Sequence, residues 1–426
     1  RPDPRGIAAM QPGSASLRFS VIVVSRGRPA ALGLCLTGLS RLAYDAYEII
    51  VVADPDGLAA VARSGLADEV KQVACDVANI AVARNLGVAA AAGEVIAFLD
   101  DDSVPEPGWL AHLAQAFARP EVAAAGGFVW ARNGISHQFT AASVDRCAET
   151  RPVSVDAQEI TCLTTEPGAG IKTEGTNMAF RRSVLAQLGG FDPAYRFYLE
   201  DADLNLRLAE RGIVSAVVPL AEVPHPPAES ATRRASGVAR DLHEVGASTA
   251  VFLRRHCPAP ERQAAIARLR ARRRRSLVAQ MVSGRLEPRD VGRLLAGFDA
   301  GLAEGMQREC PDLVPLPASA AAFRPFRSRR VGEPLVLAAR WIGWRGKLEQ
   351  AEQLAREGRP VTLFVFSPTT LYHRVRMTTF GVWVQSGGTF GKSLRSDKAI
   401  TLWRFSSRVS RETGRIVRQR WNAPLG

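Results

Sequence analysis

The stretch EVIAFLDDDSVPEPGWL, residues 94–110, decides how the rest of the chain is read. Val95 to Leu99 form an apolar run with the length and composition of a buried strand. It empties directly into Asp100, Asp101 and Asp102, and then into a Pro-rich turn. Three adjacent carboxylates repel one another, so the triplet costs stability unless positive charge compensates it. An Asp-x-Asp set of hard oxygen ligands suits Mg²⁺ or Mn²⁺ held together with a diphosphate. An exposed acidic turn is the plainer alternative, and the triplet alone does not choose between the two.

Upstream, strand and helix patterns alternate. FSVIVVS (19–25) reads as a buried parallel strand, Arg28-Pro29 opens a helix, and YEIIVVAD (47–54) is a second strand. DGLAAVARSG is a short helix and EVKQVAC (69–75) a third strand. NIAVARNLGVAAAAG (79–93) is a helix capped by Asn79 and closed by Gly93, leading into the fourth strand at 94–99. This repetition predicts an α/β fold with a mainly parallel sheet flanked by helices. Ligands of such sheets bind beyond the carboxyl ends of the strands, where Asp54 and the Asp triplet fall.

Downstream, the pattern loosens between about 119 and 172. EGTNMAFRRSVLAQLGGFDPAYRF then gives a strand and a helix ended by Gly189-Gly190. YLEDADLNLRLAERG predicts a helix of about four turns closed by Gly212, followed by the strand IVSAVVP. AEVPHPPAES (221–230) reads as the end of this unit. The division expected is a tail over 1–18, a first domain over 19–228, an Arg-rich helical segment over 229–330 and a small α/β domain over 331–426. In that last part, EPLVLAARW, PVTLFVFS, GVWVQSGGTFG and AITLWRF have strand character, and LEQAEQLAREG helix character.

Charge is divided unevenly. Residues 1–230 carry net −8 and residues 231–426 net +21, within a total of +13. A basic chain suggests nucleic acid, yet RLRARRRRS has no aromatic residue interleaved over 261–285, as single-strand binding would require. No nucleic acid is therefore expected; the basic half suits an anionic membrane surface or acidic glycan, with a solvated helix in an Arg-rich proteome as the plainer alternative. No run is long enough to span a bilayer, the N-terminus has no apolar core like that of a signal peptide, and the six cysteines have no CxxC spacing. The expected location is the cytoplasm, with peripheral attachment to the inner membrane face.

Three further features bear on chemistry. Asp201, Leu204 and Leu208 share one helical face, and the helix N-terminus favours ionised Asp201. Asp203, Arg207 and Glu210 lie on another face suited to i,i+4 pairing. Plain N-terminal capping is the competing account. His225 could supply an imidazole nitrogen to a metal, Arg84 could face phosphate, and Asp54 could accept hydrogen bonds from a base or ribose.

The order FSVIVVSRGRP, VVAD, ARNLGVAAAAGEVIAFLDDD, GTNMAFRR…LGGFDPAYRFYLEDADLNLRLAERG over residues 19–228 resembles the family 2 glycosyltransferases of GT-A fold. The resemblance implies an inverting transferase that moves a sugar from a nucleotide diphosphate, UDP- or dTDP-linked, to a glycan or lipid-linked acceptor with a divalent metal. Under it Ser25, Asp54, Arg84, Asp100 and Asp101 would meet the nucleotide sugar. Asp102 and His225 would ligate the metal, and Asp201 would be the base. Gly175, Thr176, Asn177 and Glu200 would meet the acceptor or donor sugar. VVADPDG departs from the family's commoner pair of acidic or amide residues after the second strand. A nucleotidyltransferase would share the sheet and acids, but calls for a Gly-rich loop where SRGRP has one glycine.

Overall fold

The apolar runs of the first half alternate between two cores. Val21, Val23, Ile49, Val51, Ala97 and Leu99 point to one side of the sheet, and Ile22, Ile50, Val52, Ile96 and Phe98 to the other. Both faces are covered, which is why these strands read as continuous hydrophobic stretches. The computed structural model describes residues 16–421 except 132, 227, 228, 230–233, 235, 236 and 318. Most of the expected N-terminal tail, and residue 228 at the expected domain boundary, lie outside the described residues.

The first half contains twelve strands and six helices among the described residues. The strands are β1 (Phe19–Ser25), β2 (Tyr47–Ala53), β3 (Lys71–Ala74), β4 (Val95–Asp100), β5 (Val122–Trp130), β6 (His137–Phe139), β7 (Ala142–Asp145), β8 (Thr150–Pro152), β9 (Thr161–Leu163), β10 (Ala169–Lys172), β11 (Met178–Arg181) and β12 (Val214–Pro224). The helices are α1 (Pro29–Leu39), α2 (Pro55–Arg63), α3 (Ile80–Ala90), α4 (Trp109–Phe117), α5 (Arg182–Gln187) and α6 (Glu200–Ala209). The main sheet runs β3-β2-β1-β4-β11-β5-β12-β9, with β6 paired to β5. The strands from β3 to β4 are parallel, β11 runs against both its neighbours, and β12 is again parallel to β5. The chain builds outward from β1 to β3 and then returns to place β4 on the other side of β1. That reversal opens a crevice at the carboxyl ends of β1 and β4, where ligands of open α/β sheets bind.

Asn79 caps α3 through the Val82 N–H as expected, but the helix stops at Ala90, before Gly93. Helix α6 starts at Glu200, which puts Asp201 and Asp203 in its first turn as expected. Tyr198 and Leu199 both have left-handed backbone, φ 76° and 69°. Such a position costs a non-glycine residue about 1–3 kcal/mol. Leu199 repays part of it by burying its side chain with Tyr195, Leu206 and Phe252.

Helices α7 (His243–His256), α8 (Arg262–Val282) and α9 (Pro288–Gln307) follow. The Arg-rich α8 spends part of its charge internally, with Arg270 on Asp299 and Arg268 and Arg272 on Glu149. The last of these helices ends at Gln307. The described residues from 309 to 332 form an extended strap over the first domain, where the Phe326 N–H donates to the Tyr47 carbonyl at 2.7 Å. Arg324 N–H also donates to Glu48, a buried β2 carboxylate that receives Ser20 and Lys71 as well.

The C-terminal part has β13 (Leu335–Arg340), α10 (Trp344–Arg356), β14 (Val361–Ser367), β15 (Arg374–Met377), β16 (Trp383–Gly388) and α11 (Phe405–Arg420). AITLWRF forms no strand; it leads into α11, whose Phe405 and Ile416 pack on Phe364 and Phe366. No helix of the described residues is long and apolar enough to cross a membrane.

Arg420, at the end of α11, ties this small sheet to the first domain. Its guanidinium grips Glu106 with two bonds of 2.7 Å, donates to Thr362 and lies 4.5 Å from the Trp383 ring centre. Both partners of the ion pair are buried. Removing one side of such a pair costs about 3–5 kcal/mol. Arg420→Ala should lose stability of that order in chemical denaturation. Arg420→Lys should recover little of it, because an ammonium cannot make the two-point contact.

Candidate active site

The Asp triplet lies at the switch point, and its compensating charges come from distant parts of the chain. Arg28, at the start of α1, pairs with Asp101 at 2.5 Å and with Asp102 at 2.8 Å. Burial lowers the affinity of Arg28 for its proton, but the three nearby carboxylates outweigh that and hold its pKa above the usual value. Arg84, on α3, stands 3.6 Å from Asp100 and forms a 2.7 Å ion pair with Glu200. The His225 imidazole, just past β12, meets Asp102 at 3.0 Å through Nε2, while Nδ1 faces Gln138.

Asp100, Asp102 and His225 each offer a ligand atom within 4.8 Å of the others. Two carboxylates and an imidazole match the donors that Mn²⁺ and Mg²⁺ accept, with the imidazole favouring Mn²⁺. Asp101 plays a different part. It is fully buried and bound to the Ser25 hydroxyl at 2.6 Å and to Arg28, so it fastens β4 to β1. Burial pushes its carboxyl up to about 7 against the pull of Arg28 and Ser25. In this position it supports the neighbours that face the crevice. Ser25 is likewise occupied by this bond.

Asp54 caps α2 by accepting from the Gly57 N–H at 2.9 Å, and its other oxygen accepts from the Gly27 N–H at 2.7 Å. It therefore fixes the β1–α1 turn that carries Arg28.

The second acidic motif reaches the same crevice through the loop after β10. Asp201 accepts from the Gly175 N–H at 3.2 Å, and the Gly175 carbonyl accepts from Arg84 at 3.3 Å. A Cβ on Gly175 would come within 2.7 Å of the Arg84 guanidinium, so glycine permits this close approach. Lys172 lies 3.8 Å from Asp201 and pairs with Glu174. Burial opposes the Lys172 charge, but these carboxylates raise its pKa. Glu200 is buried, and burial raises its pKa against the stabilising Arg84. It belongs to the crevice, locked to Arg84.

Asp203 faces away. It pairs with Arg207 at 2.7 Å, as the i,i+4 spacing predicts, and with His256 of α7 at 2.8 Å. These partners hold its carboxyl below the usual range despite burial.

Thr176 and Asn177 lie deeper. Thr176 is buried against the Ser103 hydroxyl at 2.6 Å. Asn177 is fully buried; its oxygen accepts from Trp109, and its nitrogen donates to the carbonyls of Phe128 and Ala221. It knots β5, β12 and α4 behind the crevice and has no surface for a sugar.

Beside His225 lies a cavity of about 750 Å³ between the end of β12 and α11. Trp130, His137, His373 and Arg418 are among its walls, with the Trp130 and His137 rings 4.0 Å apart. Arg418 donates to Gln158 at 2.9 Å. The functional residues missing from the sequence reading are Arg28, Lys172 and this α11 wall. Arg28 directly follows a strand end, a position that could have flagged it; Lys172 and α11 carry no local signal.

Residues 17–243 match a family model described as "Glycosyltransferase like family 2". A pre-mycofactocin glycosyltransferase of Mycobacterium tuberculosis is 26% identical over 77% of this chain, which spans 63% of that relative. An N-acetylglucosaminyl-diphospho-decaprenol L-rhamnosyltransferase of the same organism is 42% identical over 79 residues, 18% of this chain and 25% of that one. A mannosyltransferase from Pyrobaculum calidifontis, solved with GDP-Man and Mn²⁺, has TM-score 0.41 and 18% identity, covering 70% of this chain and 89% of its own. With more than half of its residues matched by the family model, this chain belongs to the family 2-like glycosyltransferases.

Proposed function

We propose that the chain transfers a sugar, with inversion, from a UDP- or dTDP-linked donor to a hydroxyl of a saccharide or lipid-linked saccharide. The observation that carries this reading is the convergence of Asp100, Asp102 and His225 at the sheet's switch point, with Asp201 joined to the same crevice through Gly175 and Arg84. The names of the curated relatives support glycosyl transfer, and one names a lipid-diphosphate acceptor.

In this reading Asp102 and His225 hold a divalent ion with Asp100 beside them, and Asp54 lies toward the base. A bound Mg²⁺ or Mn²⁺ would neutralise the departing diphosphate as a Lewis acid. Arg84, fixed by Glu200, adds a second positive charge on the diphosphate side. Asp201 takes the proton from the attacking hydroxyl, with the Lys172 ammonium 3.8 Å from its carboxylate. Attack from the face opposite the leaving group gives the inverted linkage in one step. We assign the cavity beside His225 to the acceptor, with the Trp130 and His137 rings, tilted 38° to each other, as an aromatic corner against a sugar ring. Residues 19–228 then form the transfer domain, 229–330 its buttress and 331–426 the acceptor-facing unit. Six free thiols support a reducing, cytoplasmic setting.

Two experiments test these roles. Asp102→Ala should lose metal-dependent donor binding in calorimetry and abolish transfer. Asp201→Asn should bind donor normally and lose about 10²–10⁴-fold in turnover, the usual contribution of general-base catalysis. Asp203→Asn serves as the contrast, with a lowered melting temperature and turnover closer to that of the unaltered chain. An active Asp201→Asn removes the base assignment. Separately, Arg418→Ala should raise KM for the acceptor about tenfold, the scale of one charged hydrogen bond, with donor hydrolysis unchanged. An unchanged KM would remove the cavity from the acceptor path.

A further inference from the structure

The small C-terminal sheet ends in an unusual edge. Strands β13, β14 and β16 are parallel, so the loops that follow them emerge on one side. Backbone bonds hold these loops together: Trp341 N–H to the Phe366 carbonyl, Phe390 N–H to Thr369, and Thr401 N–H to Phe390. From them project Trp341, Ile342, Leu371, Tyr372, Ile400 and Leu402, all exposed. Ile342 is 92% and Leu402 86% accessible, more than scattered surface residues need. Trp341 and Trp344 stack at 6.1 Å across the tight turn made by Gly343, φ 81°.

The charges around this apolar edge are almost all of one sign. Segments 340–347, 368–376 and 390–404 contain nine Arg and Lys residues and one acid, Asp397. Asp397 is itself paired with Arg411 at 2.7 Å. Three of the chain's five lysines, Lys347, Lys392 and Lys398, lie here, although arginine dominates elsewhere.

We propose that this edge inserts into the headgroup region of a bilayer containing anionic phospholipid. Indole and phenol rings, with an apolar body and a polar tip, settle at that depth. Ile342 and Leu402 would reach the acyl boundary, and the surrounding cations would face lipid phosphates. Protein interfaces are depleted in lysine, so the composition favours lipid over a protein partner. The edge is continuous with the cavity beside His225, because His373 and Leu394, from the same loops, line it.

The test is sedimentation of the purified full chain with vesicles of phosphatidylcholine alone or with 30% phosphatidylglycerol, at low and high salt. Expected is binding at least tenfold tighter to the anionic vesicles and weakened by salt. Ile342→Ser with Leu402→Ser should lose at least tenfold of it, as should Arg345→Glu with Lys347→Glu, with melting temperatures unchanged. Arg274→Glu with Arg275→Glu, the same charge change on exposed positions of α8, should retain most of it. Acyl-brominated lipid should quench emission that Trp341→Phe removes. The proposal is overturned by absent vesicle binding, by equal loss in the α8 variant, or by no Trp341 quenching. It is also overturned if the edge variants split a dimer in light scattering while vesicle affinity is nil, which would make the edge a surface for a second copy.

Discussion

Three carboxylates in succession at one strand end need positive charge from elsewhere, and the architecture supplies it. Arg28 comes from the turn after β1 and Arg84 from α3, while the His225 imidazole reaches Asp102 from the end of β12. None of these is near the triplet in sequence. They meet only because β4 returns to lie beside β1 and because β12 is carried across the sheet by β11 and β5. Each strand pairing is thus also an electrostatic requirement. A slip in register would strand an aspartate without its cation, which is costly in a buried site.

The same arithmetic divides the acids by task. Asp101 is sealed and serves the frame, while Asp100 and Asp102 remain at the crevice. On α6, successive residues point about 100° apart, and the three acids of its first turn go three ways. Glu200 goes to Arg84, Asp201 to the Gly175 loop, and Asp203 to Arg207 and His256.

The core of the first domain was legible because burial on both faces writes long apolar runs, as in FSVIVVS, which matches β1 residue for residue. The acid motifs were legible for their charge, and Asp203–Arg207 for its spacing. Residues whose meaning depends on a remote partner were not. Asn177 looks like a loop amide until Trp109 and the carbonyls of two strands surround it. AITLWRF looks like a strand because its apolar residues alternate, yet Ile400 and Leu402 are turned outward. The acids at the start of α6 were legible, but nothing in the letters of Tyr198 and Leu199 announces the left-handed backbone before them.

Helix α7 begins at His243, the residue where the family match ends. Beyond it, Phe252 fills the pocket behind Leu199 and Leu206, Arg255 neutralises the buried Asp192, and His256 reaches Asp203. A chain cut where resemblance stops would retain the crevice and its cations but discard the partners of Asp192 and Asp203, two buried acids outside it. The boundary that homology draws is therefore not the boundary of the smallest self-sufficient piece. For anyone shortening this gene, the constraints continue past Arg308, whose guanidinium closes on Glu244 and Glu304, to Phe326 in the main core and Arg420 on the buried Glu106.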